Sequence, residues 1–251
     1  MQLDQQIQTA ATLISQAKHI VAMTGAGIST PSGIPDFRSP QSGLWAHTDP
    51  LEVASIFAFR HSPQQFYNWV RPLSGLLLEA KPNPAHFALT ALERKGKLKA
   101  IITQNIDDLH GKAGSKTVYE LHGHMREVTC IECYQTQDST EVIARFLDNG
   151  QVPRHSCGGV LKPNVILFGE QLPMQEFVLA QLAVQAADLM LVVGSSLEVA
   201  PASDLPELAL ENGTRLIIIN YQPTYLDQQA DLVIQADVAT ILPRIVDLIR
   251  V

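Results

Sequence analysis

Four short stretches of this chain hold residue types that can do chemistry. Glu120-Leu121-His122-Gly123 sets an imidazole before a glycine, and an imidazole of ordinary pKa, about 6.5, can take a proton at neutral pH. Thr103-Gln104-Asn105-Ile106-Asp107 offers hydroxyl, amide and carboxylate groups almost in succession. Gly33-Ile34-Pro35-Asp36-Phe37-Arg38 places an acid, an aromatic and a base in a proline-framed loop. Gly25-Ala26-Gly27-Ile28-Ser29 follows an apolar run, and its glycines permit positive φ and close approach of a pyrophosphate. Each stretch alone has a plain structural reading. These are a hydrogen-bonded loop histidine, polar capping of a strand end, a turn salt bridge beside a packed aromatic, and a strand-end turn. The dinucleotide fingerprint is also incomplete, because Thr30 stands where its third glycine belongs.

The elements needed to position these groups are legible in the apolar pattern. Leu3, Ile7, Ala10, Ile14 and Ala17 recur at helical spacing, which predicts a helix over 4–18. Strands are expected at 19–23, 98–103, 165–168, 189–193, 215–219 and 232–234, and helices at 85–95, 175–187, 203–212 and from 241 onward. Continuous apolar strands alternating with helices predict a parallel sheet covered on both faces. In such sheets ligands bind outside the carboxyl ends of the strands. Thr24–Ser29, Gln104–Asp107, Gly194–Ser196 and Asn220 all fall there. Two regions break the rhythm. Residues 30–84 carry eight prolines around short helical stretches at 50–60 and 63–79, and 123–163 contain all three cysteines.

Composition sets the outer limits. With 251 residues, 46% hydrophobic and 17% charged, the chain suits one globular domain with insertions. A net charge of −7 points to no nucleic-acid scaffold or anionic membrane surface. No apolar run has transmembrane length, and Met1-Gln2-Leu3-Asp4-Gln5-Gln6 lacks the regions of a signal peptide. Cys130-x-x-Cys133 with Cys157 fits a reducing compartment and a metal site better than a disulfide framework. The cytoplasm is the expected location.

Together the ordered motifs resemble the sirtuin family of NAD-dependent protein deacylases. The resemblance runs from about residue 10 to 245 and includes Lys81-Pro82-Asn83-Pro84-Ala85-His86, Leu161-Lys162-Pro163, Phe168-Gly169-Glu170 and Gly194-Ser195-Ser196-Leu197. It implies an α/β fold, a Rossmann-like doubly wound parallel sheet with a smaller inserted helical module and a zinc-binding module. The core would take about 1–35, 85–122 and 164–251, the helical and cofactor-loop insertion 36–84, and the zinc module 123–163. It implies NAD as co-substrate and acyl-lysine proteins or peptides as partners, with no nucleic acid or membrane. Oligomeric state stays open, and a monomer is compatible. His122 would be the general base and Asn105 would orient the ribose and a water. Gln104 would bond the ribose, and Asp107 the nicotinamide carboxamide between Ile28 and Ile106. Gly25, Ala26, Gly27 and Ser29 would line the cofactor, over which Asp36, Phe37 and Arg38 close. Gly194, Ser195 and Ser196 would meet phosphate or adenosine ribose, with Asn220 and Val238 also on the cofactor. The acyl-lysine would enter as a strand between two loops, Val165–Glu170 with Phe168, Gly169 and Glu170, and Leu197–Pro201, and Phe168 would pack along the lysine tunnel.

Three departures from the family pattern matter. A four-cysteine zinc site is usual, whereas here Cys130, Cys133 and Cys157 are joined by His155. Imidazole is a sound zinc ligand, so a structural Cys3His site is expected. A metal-free module and a Cys-x-x-Cys redox pair are the competing readings. Members that remove succinyl or malonyl groups carry Tyr-x-x-Arg where this chain aligns Val70 and Leu73, and Tyr67 and Arg71 are at the wrong spacing. Uncharged acyl groups are therefore expected. Asp108 stands where glycine is common, with no evident function. Alternative activities are mono-ADP-ribosyl transfer from the same pocket, a non-catalytic NAD sensor and an ordinary NAD dehydrogenase, the last disfavoured by the incomplete fingerprint.

Overall fold

A computed structural model of the chain describes residues 2–36, 43–44 and 48–249. Its strands are β1 (Ile20–Thr24), β2 (Leu98–Thr103), β3 (Val118–Glu120), β4 (Gly123–Cys130), β5 (Thr136–Asp138), β6 (Leu161–Val165), β7 (Leu189–Val193), β8 (Arg215–Asn220) and β9 (Leu232–Gln235). Six form one sheet in the order β3-β2-β1-β7-β8-β9, and every pairing in it is parallel. The chain works outward from β1 on one side, then returns to add β7 on the other. The switch point thus lies between β1 and β7, where a doubly wound sheet opens its ligand cleft.

The helices are α1 (Leu3–Gln16), α2 (Pro50–Val53), α3 (Ile56–His61), α4 (Pro63–Glu79), α5 (Pro84–Arg94), α6 (Leu109–Ala113), α7 (Thr140–Asn149), α8 (Met174–Gln185), α9 (Leu205–Glu211) and α10 (Val238–Asp247). Strand side chains alternate between the faces. Ile20 and Ala22 of β1 and Leu189 and Leu191 of β7 pack with Ile14 of α1, Leu89 of α5 and Ile245 of α10. Val21, Met23, Met190 and Val192 face the other way, against Ala180 of α8 and Leu205 of α9. Both faces being covered explains why these strands read as unbroken apolar runs.

The two irregular regions pack together. Phe59, Phe66, Tyr67 and Val70 of the helical segment share a core with Phe146, Val160 and Val165 from beyond residue 123. Here the structure corrects one sequence expectation. The strand foreseen at 165–168 is β6, four residues earlier, in a small antiparallel sheet ordered β5-β4-β6. Its alternation of buried Leu161, Pro163 and Val165 with half-buried Lys162 and Asn164 is that of a one-sided strand. Among the described residues no helix is long and apolar enough to cross a membrane.

Candidate active site

The glycine turn after β1 meets the turn after β7 at the switch point. The Gly27 N–H donates to the Gly194 carbonyl at 2.8 Å. A Cβ on Gly27 would stand 2.8 Å from that oxygen, and one on Gly194, at φ +63°, would stand 2.2 Å from the Ile28 nitrogen. Glycine is thus required on both sides for the turns to interlock, apart from any phosphate. No α-helix follows as in a complete dinucleotide fingerprint. Two short 3-10 turns, Ala26–Ile28 and Thr30–Ser32, lead into the inserted region instead. The Thr30 hydroxyl donates to the Gly27 carbonyl at 3.1 Å, filling the position of the missing glycine.

The strand-end residues after β2 knit into that seam. Asn105 donates its side-chain amide to the Gly25 carbonyl and to the Ser29 hydroxyl, both at 3.1 Å. Ser29 in turn donates to Asp107 at 2.6 Å, and the other Asp107 oxygen accepts from the Leu109 N–H at 2.9 Å. Burial pushes the Asp107 carboxyl pKa up, against the opposing pull of these two donors and Lys112. Ile28, Ser29 and Asp107 are buried behind the wall, while Ile106 and Asn105 face the cavity. Gln104 donates to the Ser195 hydroxyl at 3.1 Å, tying the β2 and β7 ends together.

His122 sits in the link between β3 and β4. Its Nδ1 is 3.1 Å from the Gln104 carbonyl oxygen. A carbonyl can only accept, so Nδ1 carries the proton and the neutral ring keeps its basic lone pair on Nε2. The His122 carbonyl accepts from the Ile166 N–H at 2.9 Å.

These groups edge a single cavity of about 1010 Å³. Its lining includes Gly25, Ala26, Gly27 and Asp36, Gly194, Ser195 and Ser196, and Asn220 and Val238. His122 and Asn105 line it too, as do Val165, Phe168, Gly169 and Glu170. Leu197 is buried at φ +57° just beyond the wall. Phe37 and Arg38 lie outside the described residues. Val70 and Leu73 line an apolar end with Phe66, Trp69 and Met125. Tyr67 instead donates its hydroxyl to the Leu161 carbonyl, and Arg71 donates to the Leu147 carbonyl. Both are structural. One brace escaped the sequence reading. Lys162 Nζ lies 2.9 Å from Glu170, whose same oxygen accepts from the Leu167 N–H, so the pair stiffens the 165–170 loop. Only its charge pattern within a short stretch hinted at this.

The thiols of Cys130, Cys133 and Cys157 and the His155 ring come together with ligand atoms all within 4.8 Å of one another. Cys130 Sγ is 3.6 Å from Cys157 Sγ, and Cys133 Sγ is 3.3 Å from His155 Nδ1. Those separations are edges of a tetrahedron around zinc with Zn–S near 2.3 Å and Zn–N near 2.0 Å. The donor set and its spacing therefore fit a closed, structural zinc site. It staples the Cys130 end of β4 to the loop entering β6.

Comparison with known proteins agrees with this geometry. The description "Sir2 family" matches residues 25–201. A Sulfolobus acidocaldarius protein named NAD-dependent protein deacetylase is 46% identical, covering 100% of this chain and 98% of its own. An Archaeoglobus fulgidus protein named NAD-dependent protein deacylase 2 is 44% identical, covering 99% and 98%. Among solved structures, a Sir2 protein with a deacetylated p53 peptide and 3'-O-acetyl ADP ribose superposes with a TM-score of 0.91 at 39% identity, covering 96% of this chain and 97% of that one.

Proposed function

The chain belongs to the Sir2 family, and on that premise we propose that it is an NAD-dependent protein-lysine deacetylase, active on acetyl and other uncharged acyl groups. The two substrates enter opposite sides of the cavity. NAD lies over the glycine seam, with Gly25, Ala26, Gly27, Ser195 and Ser196 beside its phosphates and ribose, Asn220 and Val238 toward the adenosine, and Asp36 in the covering loop with Phe37 and Arg38. Asn105 and Gln104 hold the nicotinamide ribose. Asp107, reached past Ile106 and supported by Ile28 and Ser29, takes the carboxamide. The acyl-lysine lies along Val165–Glu170 and Leu197, with the acyl group toward Val70 and Leu73.

The acyl oxygen attacks the ribose carbon and nicotinamide leaves with the bonding electron pair. His122 Nε2 then takes a proton from the ribose hydroxyls. The activated hydroxyl attacks the acyl carbon, water completes the transfer, and the products are free lysine and O-acyl-ADP-ribose. Zinc held by Cys130, Cys133, His155 and Cys157 supports the fold and takes no part in the chemistry. We retain 36–84 and 123–163 as insertions into one catalytic domain, and place the enzyme in the cytoplasm, where thiols stay reduced.

The observation that carries the reading is His122, which lines the same cavity as the glycine seam and the apolar Val70 and Leu73 and has its Nδ1 3.1 Å from the Gln104 carbonyl. The purified protein, an acetyl-lysine peptide and NAD, read by mass spectrometry, test it. Loss of acetyl that requires NAD, forms O-acetyl-ADP-ribose and falls at least about a hundredfold in His122→Ala is expected. A peptide that stays acetylated while NAD is cleaved would sink the proposal and favour ADP-ribosyl transfer.

A further inference from the structure

Asp108 departs from the glycine common at its place, and the structure gives that residue a partner. It sits at φ +61° before α6, yet its side chain makes no hydrogen bond to cap that helix. Its Oδ1 accepts from Arg126 Nη1 at 2.7 Å. Room for this carboxylate exists because residue 111 is glycine, where a Cβ would stand 2.7 Å from Asp108 Oδ1. The same guanidinium also grips Glu120 as a fork, with Nη1 to Oε1 at 2.7 Å and Nη2 to Oε2 at 2.5 Å.

The placement of the three residues gives this cluster its meaning. Glu120 ends β3 and Arg126 lies in β4, so their pairing closes the short loop that has His122 at its bend. Asp108 ends the loop that begins at Gln104, whose carbonyl receives the His122 Nδ1 proton. One guanidinium thus ties together the segment that carries the imidazole and the segment that orients it. Exposed ion pairs add little to folding stability, and the Arg126 and Asp108 side chains are 43% and 30% exposed. A bidentate fork with a second tether does, however, fix geometry. A misplacement of about 1 Å at a reacting group can cost roughly a hundredfold in rate.

We propose that Arg126, joined to Glu120 and Asp108, is a positioning residue that holds His122 in its Nδ1–H tautomer against the Gln104 carbonyl. The proposal rests on the assignment of His122 as general base. Arg126 is not among the residues that line the cavity, so it acts through His122.

The test compares wild type with Arg126→Gln and Arg126→Lys. Steady-state deacetylation gives kcat and the KM for NAD, exchange of labelled nicotinamide into NAD reports the step before His122 acts, and urea unfolding reports stability. Nitrogen-15 NMR of the His122 ring reports its tautomer without reference to activity. Arg126→Gln is expected to lower kcat about tenfold, with the KM for NAD, nicotinamide exchange and the urea midpoint little changed, and with a mixed tautomer spectrum. Arg126→Lys keeps the charge without the fork and should recover part of the loss. Unchanged kcat and tautomer in Arg126→Gln would overturn the proposal, as would a loss confined to KM or to the urea midpoint. Should wild type itself fail to deacetylate, the assigned function falls, and the ring spectrum still decides whether Arg126 sets the tautomer.

Discussion

At the scale of single residues, the proposed acyl preference rests on Val70 and Leu73. Both are buried, at 3% and 5% exposure, and among the described residues that line the cavity none is a lysine or an arginine. A succinyl carboxylate placed there would lose its water and gain no partner, a penalty of about 3 kcal/mol or more. Acetyl, propionyl and butyryl peptides are therefore expected to exceed the succinyl peptide in kcat/KM by roughly a hundredfold or more. Competition among the four peptides would check this, and comparable succinyl turnover would refute it. The family resemblance carried this far, because its Tyr-x-x-Arg pattern aligns with Val70 and Leu73 and Tyr67 and Arg71 stand four apart. The structure adds where they go, to carbonyls of Leu161 and Leu147 in the neighbouring module. Asp108 is the opposite case. Its partner Arg126 is remote in sequence and meets it only through the fold, so no local pattern could announce the pair.

At the scale of elements, the strands and long helices were readable because each repeats an apolar period several times. The β2 and α4 boundaries emerge as expected, Leu98–Thr103 and Pro63–Glu79. The region after His122 was opaque for a physical reason. Only three of the eight β4 residues are buried and all of β5 is exposed, so burial leaves little pattern. Helix α7 did leave one, in Val142, Ile143 and Phe146. The four candidate metal ligands lie beside the small apolar cluster of Val128, Cys130, Val142 and Leu161. Elemental analysis should find about one zinc per chain. Chelation should lower the melting temperature and abolish activity, since β4 leads directly from His122. His155→Cys should keep the metal and His155→Ala should weaken its retention, measured by competition with a chromogenic chelator. Equal retention in His155→Ala would remove His155 from the ligand set.

At the scale of the whole molecule, a buried polar line runs behind the cleft. Thr24 Oγ1 donates to Thr103 and lies 2.9 Å from His110 Nε2, so the ring nitrogen donates in turn. His86 Nδ1 accepts from the Asn83 N–H, and Asn83 reaches the Ile28 carbonyl at 2.7 Å. The two rings stand 4.9 Å apart. Burial lowers the His86 pKa to about 4 and, with His86 beside it, that of His110 to about 3. In the unfolded chain both return to about 6.5. Acid therefore favours the unfolded state, and their stabilising contribution is complete above about pH 6.5 and is lost as pH falls toward 4 and then 3. Between pH 7 and 5 the pair should remove about 3–4 kcal/mol. Asp107, with its raised pKa, acts in the opposite sense. Urea unfolding across that range should show a shallower acid slope in His110→Asn than in wild type, and an unchanged slope would dismiss the histidines as its source.

The interlock of Gly27 with Gly194 also bears on how the protein is made. The first turn leaves the ribosome before its counterpart, which is synthesised only after both inserted regions. Until β7 emerges, β1 lacks one of its two parallel neighbours and the Gly27 N–H lacks its acceptor. Pairings between such distant segments form slowly because loop closure precedes any reward. The nascent chain must therefore carry an unfinished sheet edge while both inserted regions are made.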